Sequence, residues 1–188
     1  MPPEPFEATL VSTMSHALDD GPLFECSPPI ADASGRGHRI RARRFYPVPP
    51  EAVFDAWTSR GAWESWMRLR ARARATIATS AGGAFRLELA EGPTIHVITG
   101  TVAEIRPPEL LSLAWTHHDT SDRPSSLQLS VREFRGITEL SLVHAHIESR
   151  REASWLMRLW PRALDRLGDY LGAYVRFRER MPLAISRQ

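Results

Sequence analysis

Lysine is missing from this chain. All 24 basic residues are arginine, which excludes chemistry that runs through a lysine Schiff base. Cysteine is almost missing too. Cys26 stands alone, so no internal disulfide and no thiolate metal cluster can form, and no helper residue beside it marks it as a nucleophile. No apolar run reaches the roughly 18 to 20 residues that span a bilayer, so membrane insertion is not expected. The opening MPPEPFEATL is acidic and proline-rich, with no basic stretch leading into an apolar one. It does not read as a secretory signal, and the cytoplasm is the expected compartment. Equally missing are a glycine-rich phosphate loop, an ordered Ser/His/Asp set and a carboxylate pair. No cofactor is implied.

The remaining composition is that of an ordinary globular chain. Of 188 residues, 43% are hydrophobic and 24% charged, which suits one domain with an extension. The net charge of +2 conceals an asymmetry. Residues 1–36 hold six acids against Arg36, a net of −5, and residues 37–188 hold 23 arginines against 16 acids, a net of +7. The acidic end either docks on the basic part or is solvated. Prolines crowd residues 1–37, which read as an extension and linker. Phe6, Leu10, Met14 and Leu18 could form one short amphipathic helix there, to cover a groove or to pair with a second copy as a homodimer. Residues 38–180 read as the domain and 181–188 as a tail.

The domain begins with a strand at His38–Tyr46, stopped by Pro47, Pro49 and Pro50. Two short helices follow. Val53, Phe54 and Trp57 form the buried face of the first, and Trp63 and Trp66 lie on the second. Strands are then expected at 73–79, 83–89, 94–105 (with Gly100 as a bulge or bend), 110–118, 127–134 and 137–147. Alternation carries these assignments: Phe85, Leu87 and Leu89 flank the charged Arg86 and Glu88. The last element is a long helix over about 150–178. Trp160, Leu164, Leu167, Leu171 and Tyr174 recur at three- and four-residue steps and so share one face. The fold class is α+β, a seven-stranded antiparallel sheet wrapped around a long C-terminal helix. A helix touches a curved sheet along a line, and the space beside it is a natural ligand cavity.

Several stretches together resemble a known family. They are RFYPVPPEAVFDAWTSRGAWESWM, AGGAFRLEL, GTVAEIRPPELLSLAWTH, TELSLVHAHI and LWPRALDRLGDYL. Their order and spacing resemble the START-like (SRPBCC) superfamily, in the branch named after the C-terminal domain of the Aha-type activator of the heat-shock chaperone ATPase. The resemblance covers about residues 38–178. It implies a helix-grip fold with an internal cavity, and members that bind lipids, hormones or polyketides, cyclise polyketides, activate chaperones or confer self-resistance to natural products. One position departs from the pattern: where the branch has Gly-Trp at the head of its closing helix, this chain has Leu159–Trp160. Pro161 follows and is expected to kink that helix.

Within such a cavity the ligand-lining candidates are Trp63, Trp66, Phe85, Leu87, Leu113, Trp115, Leu129, Leu142, Trp160, Leu164 and Leu167. Core filling is the commoner fate of such residues, and an indole still offers a polar N–H to a ligand. Histidines supply the weak catalytic candidates His96, His117 and His144. His144 and His146 are two apart on one strand and so are expected on one side of it, and three imidazoles could meet for acid–base work or a metal. No acid is placed to complete a metal site. The His117–His118–Asp119 run reads as a strand end at a solvated loop. Arg39, Arg41 and Arg43, and Arg68, Arg70, Arg72 and Arg74, form basic stripes. With no groove-reading helix or stacking motif beside them, nucleic acid is disfavoured as a partner. Three readings remain: a binder of a hydrophobic or aromatic small molecule, a cyclase-type enzyme, and a chaperone-activator-like interaction domain.

Overall fold

Strong period-2 alternation in the middle of the chain builds the sheet. The computed structural model describes residues 30–31, 37–68, 72–118 and 123–180. Its strands are β1 (Ile30–Ala31), β2 (His38–Tyr46), β3 (Ala73–Ile77), β4 (Ala84–Glu91), β5 (Thr94–Arg106), β6 (Leu110–His117), β7 (Ser125–Phe134) and β8 (Ile137–Ile147). The helices are α1 (Pro50–Thr58), α2 (Arg60–Trp66) and α3 (Arg150–Arg180). The strands form one antiparallel sheet in the order β1-β2-β8-β7-β6-β5-β4-β3. Seven long strands make the sheet as the alternation predicts. The two-residue β1, inside the proline-rich stretch, adds an edge to β2 through Ile30 opposite Arg39. The expected helix of Phe6, Leu10, Met14 and Leu18, the lone Cys26, Asp119, the side chain of Tyr174 and the tail 181–188 lie outside the described residues.

Helix α3 crosses the inner face of the sheet. Ala153, Leu156, Trp160, Ala163, Leu164, Leu167 and Leu171 are each at most 1% exposed and follow the helical step. Their burial holds the helix down, because each large apolar side chain removed from water is worth roughly 1.5–3 kcal/mol. Pro161 sits inside an uninterrupted helix. Its missing N–H removes one backbone bond, yet the flanking Trp160 and Ala163 stay fully buried. Leu159, at the family's glycine position, is buried in the core. Lower down, Tyr46 of β2 donates its hydroxyl hydrogen to the Leu164 carbonyl at 2.9 Å, and Arg44 pairs with Asp165 at 2.7 Å.

Gly100 has a different role from the bulge expected of it. It pairs with Phe85 on one side and Trp115 on the other, and the register irregularity of β5 falls between Val102 and Glu104 instead. A Cβ at Gly100 would lie 1.7 Å from the Ala114 carbonyl oxygen and 2.7 Å from the Phe85 ring. Only glycine fits between the Ala114 carbonyl of β6 and the Phe85 ring of β4.

Candidate functional site

Between the sheet and the helices lies a closed ring of aromatic side chains. Trp57 of α1 meets Trp63 of α2 with centroids 6.4 Å apart. Trp63 meets Phe85 of β4 at 5.9 Å, and Phe85 meets Trp115 of β6 at 5.9 Å. Trp115 meets Trp160 of α3 at 5.7 Å, and Trp160 returns to Trp57 at 6.0 Å. Trp66 packs on Trp57 at 4.6 Å. The spacings suit attractive edge-to-face and tilted packing. All of these residues are at most 2% exposed.

The ring is not uniformly satisfied. Trp66 donates its indole N–H to the Ala56 carbonyl at 2.8 Å. Trp57, Trp63 and Trp115 have buried indole nitrogens with no hydrogen-bond partner. A buried donor left unpaired costs about 1–3 kcal/mol.

His144 of β8 adjoins this ring and is fully buried. The Trp160 indole N–H can only donate, so at 3.3 Å it fixes His144 Nδ1 as an acceptor. The proton therefore sits on Nε2, which donates to Ser125 Oγ at 2.8 Å, and Ser125 donates in turn to the Trp115 carbonyl at 3.0 Å. The His144 Nε2 proton points at Ser125 and the Ser125 proton at the Trp115 carbonyl, so serine donates away from the imidazole. That direction is opposite to the one an activated serine nucleophile requires. Burial pushes the imidazole pKa down to about 3, so His144 is neutral at ordinary pH.

His146 does not share the side of His144, contrary to the alternation. Its φ of 58° is left-handed, which breaks the period-2 pattern and leaves His146 exposed.

The other two candidate histidines do meet. His96 of β5 and His117 of β6 bring Nδ1 and Nε2 to 3.1 Å. His96 Nε2 also lies 3.4 Å from the Glu91 carboxylate. Trp155 of α3 covers both imidazoles, with centroids 4.6 Å from His96 and 4.9 Å from His117. His117 is therefore buried and built into a pair, not part of the solvated strand end read from the sequence. His118 next to it is exposed and shares a 3.0 Å hydrogen bond with Thr99. A cleft of about 640 Å³ opens over the pair, lined by Glu91, Thr94, His96, His117, Arg151, Trp155 and Arg158.

The model of the family described as "Activator of Hsp90 ATPase homolog 1-like protein" matches residues 47–172. The chain belongs to that family. No curated protein is similar enough to match. Among solved structures, CalU16 from Micromonospora echinospora is 22% identical, with a TM-score of 0.60 over 81% of this chain and 88% of its own. A protein from Chromobacterium violaceum is 22% identical, with a TM-score of 0.61 over 71% of this chain and 96% of its own. DynU16, described as a protein of the dynemicin biosynthetic locus, is 18% identical with a TM-score of 0.60. That match covers 71% of this chain, which spans about half of DynU16's own length (47%). Identities this low carry the fold alone, and the fold is the helix-grip, START-like one.

In this Activator of Hsp90 ATPase homolog 1-like fold the predicted lining residues fall into two groups. Trp63, Phe85, Trp115 and Trp160 form the aromatic ring, with Trp66 packed against it. Leu87, Leu113, Leu129, Leu142, Leu164 and Leu167 are core residues at most 1% exposed. Sequence reasoning missed Glu91, Arg151, Trp155 and Arg158. A signal existed for three of them: positions 151, 155 and 158 share one helical face. Among the described residues no three of His, Cys, Asp and Glu group to hold a metal, and no helix is long and apolar enough to cross a membrane.

Proposed function

We propose that this chain binds a hydrophobic or aromatic small molecule between sheet and α3, entered through the His96–His117–Trp155 cleft. The cleft carries the reading. Its volume of about 640 Å³ falls in the range of small-molecule pockets, and it combines an indole with two imidazoles and two arginines. It also adjoins the aromatic ring: Trp115 lies two residues from His117 on β6, and Trp160 five residues from Trp155 on α3. Domains of this fold offer such a site, and the biosynthetic-locus setting of DynU16 supports a role in natural-product biosynthesis or self-resistance. Native mass spectrometry and tryptophan quenching against a panel of lipids and polycyclic aromatics test it. A one-to-one adduct that is lost in Trp155→Ala is the expected result. An adduct indifferent to that change, or none across the panel, sinks the reading.

A second reading is a polyketide cyclase-type enzyme, favoured by the 3.1 Å His96–His117 contact and the Glu91 carboxylate beside it. Such a chain can move a proton between a substrate and a solvent-reachable pair. It predicts cyclised product from a poly-β-carbonyl thioester, lost in His117→Gln. A third is a chaperone-activator-like interaction domain, which would use the basic cleft of Arg60, Arg72, Arg74 and Arg86 beside α2. Capture of a chaperone ATPase that survives Trp155→Ala but not reversal of these arginines would favour it.

A further inference from the structure

The aromatic ring contains a contrast that packing alone does not account for. Trp66 and Trp160 have found acceptors for their indole N–H groups. Trp57, Trp63 and Trp115, linked to one another through Trp63 and Phe85, have none. In the T-shaped Trp57–Trp63 and Trp63–Phe85 pairs a ring edge meets a π face, which is a weaker acceptor than oxygen. Buried polar groups are paired in the great majority of cases. Three orphans in one contiguous cluster therefore ask what would complete them.

An indole nitrogen donates and cannot accept. The completing group must be an acceptor, and a second donor in its place would leave two donors opposed. The surrounding surface is made of aromatic faces, which favour a flat, conjugated body. We propose that the ring is the inner end of the binding site and selects a planar aromatic ligand bearing carbonyl-type acceptor oxygens and few donors. The inference rests on the small-molecule reading above and names its ligand class. In the structure the ring is closed on itself, and three of its donors have no acceptor. A ligand that supplies acceptors stabilises the opened arrangement over the closed one, and only this differential interaction can drive the opening.

The test uses the full chain and two probes, 9-fluorenone-2-carboxylate and fluorene-2-carboxylate. They match in shape, charge and apolar area and differ by one carbonyl oxygen. Affinities are measured by calorimetry, and the six indole N–H resonances are followed by ¹⁵N-correlated NMR, each assigned through its Trp→Phe variant. The fluorenone is expected to bind about fivefold to tenfold more tightly, the gain of one hydrogen bond to a previously unpaired donor. At least one of the Trp57, Trp63 and Trp115 resonances moves downfield with it, while those of Trp66 and Trp160 stay near their free positions. In the variant that removes the responding donor, the fluorenone loses its advantage and fluorene affinity is unchanged.

Equal affinities without a downfield shift overturn the donor proposal and leave small-molecule binding standing. Binding of neither probe overturns both. Trp57→Phe, Trp63→Phe and Trp115→Phe that each stabilise the fold and leave both affinities untouched show the orphan donors to be packing defects, and the proposal falls.

Discussion

His144 and the His96–His117 pair lie on the same face of one sheet and are made of the same side chain, yet their surroundings give them opposite characters. His144 is sealed among Trp115, Trp160 and Ser125, and each of its nitrogens has one fixed role. Burial keeps it neutral. The pair at the start of α3 shares a hydrogen bond beneath Trp155, faces a carboxylate and opens to a cleft. An imidazole enclosed by the ring serves as a hydrogen-bonding filler. The imidazoles at the rim line a cleft and can meet a ligand there. Depth along α3 separates the two. Stability should therefore respond chiefly to the inner region, whereas a change at the rim should alter ligand behaviour with little effect on stability.

The sharpest way to break that division is Trp160→Ala. Trp160 is fully buried, contacts Trp57, Trp115 and His144, and holds the His144 tautomer. Truncating it opens a large void and strands an acceptor, at an expected cost of about 3–5 kcal/mol. Denaturant unfolding measures it. A cost below about 1 kcal/mol would mean that the ring is loosely packed and that the rim and the interior do not differ as described.

The next effect depends on pH. His144 has a folded pKa near 3, against an ordinary value of about 6.5 in the unfolded chain. Between these values the unfolded state binds more protons, so stability rises with pH through that window. The contribution is complete above about pH 6.5 and is lost as pH falls toward 3, with about 2 kcal/mol gone between pH 7 and pH 5. None of the side chains packed on His144 (Trp115, Trp160 and Ser125) titrates there. His144→Gln can still accept from Trp160 and donate to Ser125, and it removes the ionisation. It should flatten this part of the stability profile. An unchanged slope in the variant would place the pH dependence elsewhere.

Much of this contrast was legible before the structure, and the rest was hidden for identifiable reasons. The sheet could be read because Phe85, Leu87 and Leu89 alternate with charges, and α3 because Trp160, Leu164, Leu167 and Leu171 keep the helical step. The meeting of His96 with His117 followed from neighbouring strands, but its depth did not, since alternation gives the face and not the distance from the rim. His146 could not be placed by alternation, because its left-handed φ interrupts the count. Gly100 read as a bulge or bend because sequence shows an absent side chain but not the Phe85 ring and Ala114 carbonyl that need the room. The three unpaired indoles have no sequence signature. Trp66 and Trp57 are the same residue type on adjoining short helices, and only coordinates reveal that one has an acceptor and the other does not.

The smallest expected change in stability tests the rim. In His96→Gln, the substituted side chain can still bond to either His117 or Glu91, while the shared imidazole proton is gone. His96 sits at the cleft and its contact with Glu91 is partly solvated, so the pair adds little to folding. The expected loss is below about 1 kcal/mol. Affinity for the fluorene-type carboxylates should nevertheless fall severalfold, because the polar lining of the cleft changes while the ring beneath does not. Measured beside Trp160→Ala, this variant decides whether the rim contributes to binding without contributing to stability. A large stability loss with unchanged affinity would reverse the assignment and make the His96–His117 pair part of the core.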